Sequence, residues 1–294
     1  VGYKNVDEMQ MFAANYNHTN ARQWEEKVKL IGFCILFKRS VLDCIGFLDE
    51  QFSPGNYEDD DYCFRMITAG YKILLCNDTF IHHFGNTSFV YNEAYGELLR
   101  RNEKKFAQKW GFNAGYSAGI RTDLIELMDK ENKPCRILEV GCGCGTTLLR
   151  IRYMNPQAEI YGVELCQGSA KIAEKLMPVL AENIETMELK FPENYFDYII
   201  FGDVLEHLQN PWQVLEKMKR YLKDDGYFLA SIPNIAHYSI LHDLLNGRWQ
   251  YQEAGILDKT HLRFFTWQTI IDMFQGAGYK IVDKRFKRIG VSDA

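Results

Sequence analysis

Residues 136–146 have the composition of a site for a nucleoside cofactor. An apolar run that is typical of a buried strand leads into a turn with glycines at 141, 143 and 145, and a helix-like run follows. Glycine lets the backbone approach a ligand where a Cβ atom would collide, and the N–H groups that open a helix face that ligand. Nineteen residues after Gly145, the next strand-like run ends in Glu164, whose carboxylate can accept hydrogen bonds from two ribose hydroxyls.

The spacing of this turn separates two classes of cofactor. A dinucleotide site requires Gly-x-Gly-x-x-Gly, and the position of its third glycine is Thr146. The acid Glu139 would repel a diphosphate, whereas it would attract a ligand that carries an ammonium and a sulfonium group. The sequence therefore favours a sulfonium nucleoside over the nicotinamide dinucleotide of an oxidoreductase.

Two histidines are candidates for a general base. His207 follows the fourth strand-like run, and catalytic groups of parallel sheets gather where strands end. His261 lies in a later loop. An imidazole titrates near neutrality, so either side chain can take a proton from the hydroxyl group of a substrate. A hydrogen bond at a helix start for His207, and a structural role for His261, remain open alternatives.

An acidic cluster at residues 58–61 forms a second candidate site. It precedes a helix-like run over 62–69, so the attraction between carboxylates and a helix N-terminus explains it at least as well as catalysis does.

No metal site is predicted. Cys142 and Cys144 form a Cys-x-Cys pair, but no second pair of cysteines or histidines lies nearby at ligand spacing. The eight cysteines lie mostly in apolar runs, as reduced thiols do, so we expect a cytoplasmic protein.

The elements that must position these residues differ along the chain. From residue 135 onward, strand-like and helix-like runs alternate, which is typical of a parallel sheet. The predicted strands are 136–140, 159–164, 183–189, 198–203 and 226–232, and the predicted helices are 145–153, 169–181 and 211–222. A bridging helix is expected within 91–121, where Leu98, Leu99, Phe106 and Trp110 recur at helical spacing.

Composition limits the possible functions further. The chain of 294 residues is 47% hydrophobic and has a net charge of −5, which excludes a disordered tail and disfavours a partner such as nucleic acid. Its longest apolar run, Leu30 to Phe37, is too short for a transmembrane segment.

Residues 118–285 resemble the class I S-adenosylmethionine-dependent methyltransferases. The matching motifs are 138–145, 162–164, 196–200, 203–208 and 258–266. The resemblance implies an α/β fold with a Rossmann-like sheet, S-adenosyl-L-methionine as cofactor and S-adenosyl-L-homocysteine as product. It implies that Glu164 holds the ribose and that Asn183 and Ile184 flank the adenine. The cofactor-binding residues expected on this basis are Glu139, Gly141, Cys142, Gly143, Gly145, Glu164, Leu165, Asn183, Ile184, Asp203 and Val204.

Residues 28–112 resemble the acceptor-binding half of an inverting glycosyltransferase of the GT-A fold, family 2. The resemblance is carried by 46–52, 57–65, 69–75, 81–89 and 109–111. It implies that Asp59 deprotonates the acceptor hydroxyl and that His83 assists a metal-diphosphate. No nucleotide-binding half with its Asp-x-Asp motif precedes Gly32. We therefore expect a fragment whose transferase part is inert, with a nucleotide sugar as partner only of a longer protein.

Together these resemblances predict a partial glycosyltransferase module at 1–112 and a methyltransferase domain at 113–294. The expected reaction is O-methylation of a sugar hydroxyl, in a bifunctional protein of surface-polysaccharide biosynthesis. Two alternatives stay open: a methyltransferase with a small metabolite or quinone-like acceptor, and a non-catalytic adaptor.

Overall fold

The computed structural model describes residues 2–84 and 93–286. Its strands are β1 (Trp24–Glu26), β2 (Leu74–Cys76), β3 (Cys135–Val140), β4 (Ala158–Val163), β5 (Val179–Leu180), β6 (Phe196–Gly202) and β7 (Leu222–Ser231). Its helices are α1 (Val6–Tyr16), α2 (Arg39–Ile45), α3 (Glu58–Thr68), α4 (Glu93–Trp110), α5 (Ala114–Ser117), α6 (Thr122–Ile125), α7 (Thr146–Met154), α8 (Gln167–Ala173), α9 (Pro211–Lys219), α10 (Tyr238–Leu245) and α11 (Trp267–Gly276). Short 3₁₀ helices span Ala21–Gln23, Glu50–Phe52 and Leu205–His207.

The chain folds into two compact units, and neither is one continuous segment. The first contains residues 1–121, 131–134 and 141–182. The second contains residues 122–130, 135–140 and 183–294. The proposed boundary after residue 112 stays a prediction.

The predicted α/β fold with a Rossmann-like parallel sheet is confirmed. Five strands are ordered β5-β4-β3-β6-β7. In the second unit, β6 pairs in parallel with both β3 and β7, and Ile137 lies opposite Tyr198. In the first unit, β4 pairs in parallel with β5. Ile137 and Leu138 are fully buried, as neighbouring residues of a parallel strand are when helices cover both faces of the sheet.

Two predictions for the segment after β4 are wrong. The helix predicted to reach residue 181 ends at Ala173, and a proline at 178 would prevent any helix from running through that position. The strand predicted at 183–189 lies instead at Val179–Leu180, where Glu164 N–H donates to the Leu180 carbonyl. Asn183 begins a turn, and its side-chain oxygen accepts a hydrogen bond from Glu185 N–H at 2.8 Å.

Helices α3 and α4 form an aromatic core in the first unit. The ring of Phe64 lies 5.7 Å from Phe106, 5.6 Å from Trp110 and 5.4 Å from Phe112. The bridging helix predicted within 91–121 is present as α4, and Gly111 at its end adopts a φ of 78°. Residues 91 and 92 lie outside the described residues.

A buried acid anchors β1 to α7 within the first unit. Glu25 is 2% exposed, and its carboxylate contacts Arg150 at 2.8 Å and Lys27 at 2.7 Å. Burial acts to raise the pKa of Glu25, but the two cations outweigh this effect and hold the pKa below its ordinary value. The segment before residue 112 therefore packs directly on the helix that follows the glycine turn.

A second ion pair gives a pH-dependent prediction. Lys109 lies 2.7 Å from Asp49, and its hydrogen bond holds the pKa of Asp49 at about 2, below 3.8. This stabilisation is complete above pH 3.8 and is lost as the pH falls through about 2. We expect Asp49→Asn to lower the free energy of unfolding by about 1 kcal/mol at pH 7.

Urea unfolding between pH 2 and pH 7 measures this effect. The difference between Asp49→Asn and the wild type should shrink toward zero at the acid end. Asp43→Asn is the control, because the pair of Asp43 with Arg39 is exposed and contributes little. A constant difference across the pH range would refute the role of the Asp49 charge.

None of the helices within residues 2–84 and 93–286 combines the length and the apolar character that crossing a membrane requires.

Candidate active site

The glycine turn lies between β3 and α7. Gly141, Gly143 and Gly145 have φ values of 73°, 54° and 81°, in the left-handed region that favours glycine. The N–H groups of Gly141 and Cys142 donate to the Val163 carbonyl at 2.8 and 3.2 Å, which fixes the start of the turn against the end of β4.

Glu164, at the end of β4, is held against this turn. The carboxylate is 8% exposed; one oxygen accepts from Gly143 N–H at 2.7 Å and the other from Cys166 N–H at 2.8 Å. Each carboxylate oxygen has two acceptor positions. One position on each oxygen is therefore left for a ribose hydroxyl, so this carboxylate fits the nucleoside predicted from the sequence.

The main chain of Ser117 covers part of the glycine turn. Its carbonyl accepts a hydrogen bond from Cys144 N–H at 2.7 Å. A Cβ atom on Gly143 would lie closer than 3.0 Å to the same carbonyl. The N–H group of Cys144, in the middle of the turn, is thus bound by the protein itself. Ser117 could not be predicted from the sequence, because a main-chain contact does not depend on the residue type.

The other predicted residues of the first unit differ in exposure. Cys142 is 5% exposed, and its sulfur would lie 2.6 Å from a Cβ atom on Gly162. Gly145 packs against Met177, whereas Leu165 is 65% exposed. Small residues at 145 and 162 are therefore required by packing within the protein itself.

In the second unit, Asp203 follows β6 in a strained backbone conformation. Its φ is 54°, which is uncommon for a residue other than glycine and is often found at functional sites. Ser231 at the end of β7 stabilises it: the Ser231 hydroxyl donates to the carboxylate at 2.6 Å, and Asp203 N–H donates to that hydroxyl at 3.0 Å. Val204 comes next, and Glu139 is buried on β3 opposite Ile200.

His207 and His261, the two predicted bases, lie together. Their ring centroids are 4.8 Å apart. Nδ1 of His207 is 3.2 Å from the Thr260 carbonyl, and Nδ1 of His261 is 3.0 Å from the Ile256 carbonyl. The sequence predicted both residues, and the structure brings them together across 53 intervening positions.

Backbone hydrogen bonds hold the two histidine segments against each other. The Glu206 carbonyl accepts from Leu262 N–H at 2.8 Å and from Arg263 N–H at 3.0 Å. Burial lowers the pKa of His207 below its ordinary value, and the neighbouring His261 adds to this effect. The structure thus favours a neutral His207.

Aromatic side chains continue from this pair. Phe264 lies 6.2 Å from His261 and 5.5 Å from Trp249, measured between ring centroids, and Tyr251 lies 6.3 Å from Phe264. Trp249 is 39% exposed and Tyr251 is 58% exposed. These rings offer an acceptor an apolar surface beside the histidines.

Glu206 is a further residue at this place, and our sequence analysis missed it. Its side chain is 1% exposed, and one ligand-type atom from each of Glu206, His207 and His261 lies within 4.8 Å of the others. The Glu-His dipeptide at 206–207 was the available signal, but nothing in the sequence linked it to His261.

The acidic cluster lies in the first unit, where all four acids form the first turn of α3. Asp59 accepts a hydrogen bond from Gly32 N–H at 2.8 Å. His83 stacks near Phe33, with ring centroids 4.8 Å apart. Residues 85–89 of the motif at 81–89 lie outside the described residues, so the catalytic role of Asp59 stays a prediction.

The expected cofactor residues are divided between the two units. The first unit contains the glycine turn, Glu164 and Leu165, and the second contains Glu139, Asn183, Ile184, Asp203 and Val204. Ile184 is buried at 5% exposure. Their roles toward a cofactor stay predictions.

Known proteins are similar to part of the chain. A demethylmenaquinone methyltransferase of Listeria welshimeri is 27% identical over an alignment of 182 positions, and the match covers 55% of this chain and 77% of that protein. A malonyl-[acyl-carrier protein] O-methyltransferase of Geobacter sulfurreducens is 27% identical over 165 residues, covering 54% of this chain and 61% of that protein. A solved SAM-dependent methyltransferase of Archaeoglobus fulgidus shares 19% identity with a TM-score of 0.44, over 60% of this chain and 74% of that one.

A family profile described as "Methyltransferase domain" matches residues 112–284, which is more than half of the chain. The match contains the glycine turn, Glu164, Asp203 and both histidines. The chain therefore belongs to the methyltransferase domain family, as a class I methyltransferase with S-adenosylmethionine as its cofactor.

Proposed function

We propose that this protein transfers a methyl group to an oxygen atom of a small acceptor that binds beside His207 and His261. One observation carries the proposal: two imidazoles with centroids 4.8 Å apart, each with Nδ1 against a backbone carbonyl. Class I membership supplies the cofactor. His207 follows β6, and catalytic groups of parallel sheets gather at the ends of strands.

Burial lowers the pKa of His207 and so favours the neutral form that a base requires. A neutral imidazole that donates from Nδ1 to a carbonyl carries its lone pair on Nε2. This nitrogen can take the proton of an acceptor hydroxyl and later release it to solvent. S-adenosylmethionine supplies a methyl group on a sulfonium sulfur, and its C–S bond breaks with the electron pair going to sulfur as the acceptor oxygen bonds to carbon.

For the acceptor we propose a sugar hydroxyl. Two features support this choice: the resemblance of residues 28–112 to a glycosyltransferase, and the exposed rings of Trp249 and Tyr251 beside the histidines. Aromatic faces line many ligand sites, and they suit the apolar face of a sugar. In this proposal residues 1–112 are the inert glycosyltransferase remnant, with Asp59 its former base.

A small quinone-like molecule is the second candidate acceptor. It is favoured by the similarity to proteins named demethylmenaquinone methyltransferases. An aromatic acceptor would stack on the rings of Trp249, Tyr251 or Phe264 with a gain of about 0.5–1.5 kcal/mol per ring pair.

Transfer of a labelled methyl group to a panel of sugars, glycans and quinols tests both candidates. We expect His207→Ala and His261→Ala to slow the transfer, and the variant that removes the base to slow it by about 10²–10⁴-fold. His18→Ala is the control, because His18 is exposed and lies in the first unit. Full activity of the double variant His207→Ala/His261→Ala would refute the role of the pair, and no transfer to any acceptor would favour an adaptor.

A further inference from the structure

We propose that Glu206, His207 and His261 bind a divalent transition-metal ion such as Zn²⁺. One ligand-type atom of each residue lies within 4.8 Å of the other two. Two imidazoles and one carboxylate are a donor set that zinc uses at catalytic sites, where a fourth position stays open. No motif in the sequence suggested this site, because His261 lies far along the chain from the other two residues.

The spacing is close to that of a bound ion. Zinc–ligand distances of about 2.1 Å put the donors of a tetrahedral site roughly 3.4 Å apart. Small side-chain rotations therefore suffice to close the present cluster. Glu206 is 1% exposed. A carboxylate at this depth supplies the negative charge that a divalent cation requires of its ligands in a low-dielectric site.

The contacts of the two histidines also match those of metal ligands. A histidine that binds a metal through one ring nitrogen usually donates its other N–H to a carbonyl or carboxylate, which fixes the orientation of the ring. His207 has the Thr260 carbonyl at 3.2 Å for this purpose, and His261 has the Ile256 carbonyl at 3.0 Å. Thr260 is itself held, since its hydroxyl donates to Asp258 at 2.7 Å.

The rest of the local structure keeps the three ligands in register. Leu262 and Arg263 donate their N–H groups to the main-chain carbonyl of Glu206. These bonds join the segment that carries His261 to the 3₁₀ helix Leu205–His207. Backbone hydrogen bonds therefore hold the two segments that carry the three ligands against each other, and only the side chains have to rotate to bind an ion.

A metal ion here would change how the acceptor loses its proton. An oxygen bound to Zn²⁺ has a lowered pKa, so the acceptor hydroxyl would release its proton to solvent near neutral pH. The imidazoles would then act as ligands instead of bases. This consequence rests on the proposed function, whereas metal binding itself does not.

Titration of metal-free protein with Co²⁺ tests the site, with the visible d–d absorption and the stoichiometry as readouts. We expect one ion per chain, displaced by Zn²⁺, and an affinity at least tenfold lower for His207→Ala and for His261→Ala. His18→Ala should bind as the wild type does. Near-UV circular dichroism checks that each variant is folded.

Three results would overturn the metal site. The first is no stoichiometric binding by the folded wild type, and the second is unchanged affinity in the double variant His207→Ala/His261→Ala. The third is a cobalt–thiolate charge-transfer band in the ultraviolet that persists in this variant, which would assign the metal to cysteines. If methyl transfer proceeds unchanged in the presence of a chelator, the metal has no part in the reaction and the proposed function stands. If the protein binds the metal but transfers no methyl group to any acceptor, the metal site stands and the proposed function is refuted.

Discussion

Gly143→Ala is expected to lower the free energy of unfolding by about 2–5 kcal/mol. About 1–2 kcal/mol comes from placing a Cβ atom at a left-handed φ, and a further 1–3 kcal/mol comes from overpacking. The φ of Gly143 is 54°, and its new Cβ atom would meet the Ser117 carbonyl at less than 3.0 Å. That carbonyl belongs to the backbone and is already bonded to Cys144 N–H, so it cannot simply move aside.

Urea denaturation measures this change, and Gly276→Ala is its matched control. Gly276 ends α11, and nothing lies within 4 Å of the Cβ atom that alanine would add. Alanine is the better helix former, so this variant should equal the wild type or gain up to about 1 kcal/mol. Equal stabilities of the two variants would contradict the close packing of Ser117 on the turn.

Glu164→Gln is expected to weaken the binding of S-adenosylhomocysteine by about 1–3 kcal/mol, which is roughly 5- to 150-fold in the dissociation constant. A glutamine has one acceptor oxygen where the carboxylate has two. The Gly143 and Cys166 N–H groups each take one acceptor position on a different carboxylate oxygen, and the other position on each oxygen is left for a ribose hydroxyl. In the glutamine variant an NH₂ group replaces one of the two oxygens. This group cannot accept a hydrogen bond from a ribose hydroxyl, and it faces the N–H group of Gly143 or of Cys166, which is also a donor.

Isothermal titration calorimetry gives this affinity, and Glu159→Gln is the control on the same strand. Glu159 is an exposed residue of β4 outside the turn, so its replacement should leave the affinity unchanged. The unfolding transition of Glu164→Gln should be recorded as well, since the variant must be folded at the temperature of the titration. A folded variant with wild-type affinity would exclude Glu164 as the ribose ligand.

The centre of the sheet was predictable because β3 and β6 are buried on both faces. Such strands appear in the sequence as continuous apolar runs, and the runs at 136–140 and 198–203 correspond closely to β3 and β6. The two-residue strand β5 is too short to leave such a pattern. Its position depends on pairing with β4, which is a tertiary contact. The strand was therefore predicted at residues 183–189, where apolar residues follow Asn183.

The site was predictable where a residue type is tied to backbone geometry. Glycines at positive φ and an acid at the end of a strand have this property, so Gly143 and Glu164 could be named together from their spacing. Glu206 and the Ser117 carbonyl could not be named. Burial of Glu206 beside His261 arises from hydrogen bonds between distant segments, and a carbonyl oxygen is present at every position of the chain.

The central claim is that this chain binds a sulfonium nucleoside and donates its methyl group. Calorimetric titration of the wild-type protein with S-adenosylhomocysteine, repeated in competition with S-adenosylmethionine, tests that claim most directly. The account predicts one site per chain at which the two nucleosides compete. A folded protein that gives no heat with either nucleoside, or that binds a nicotinamide dinucleotide instead, would contradict it.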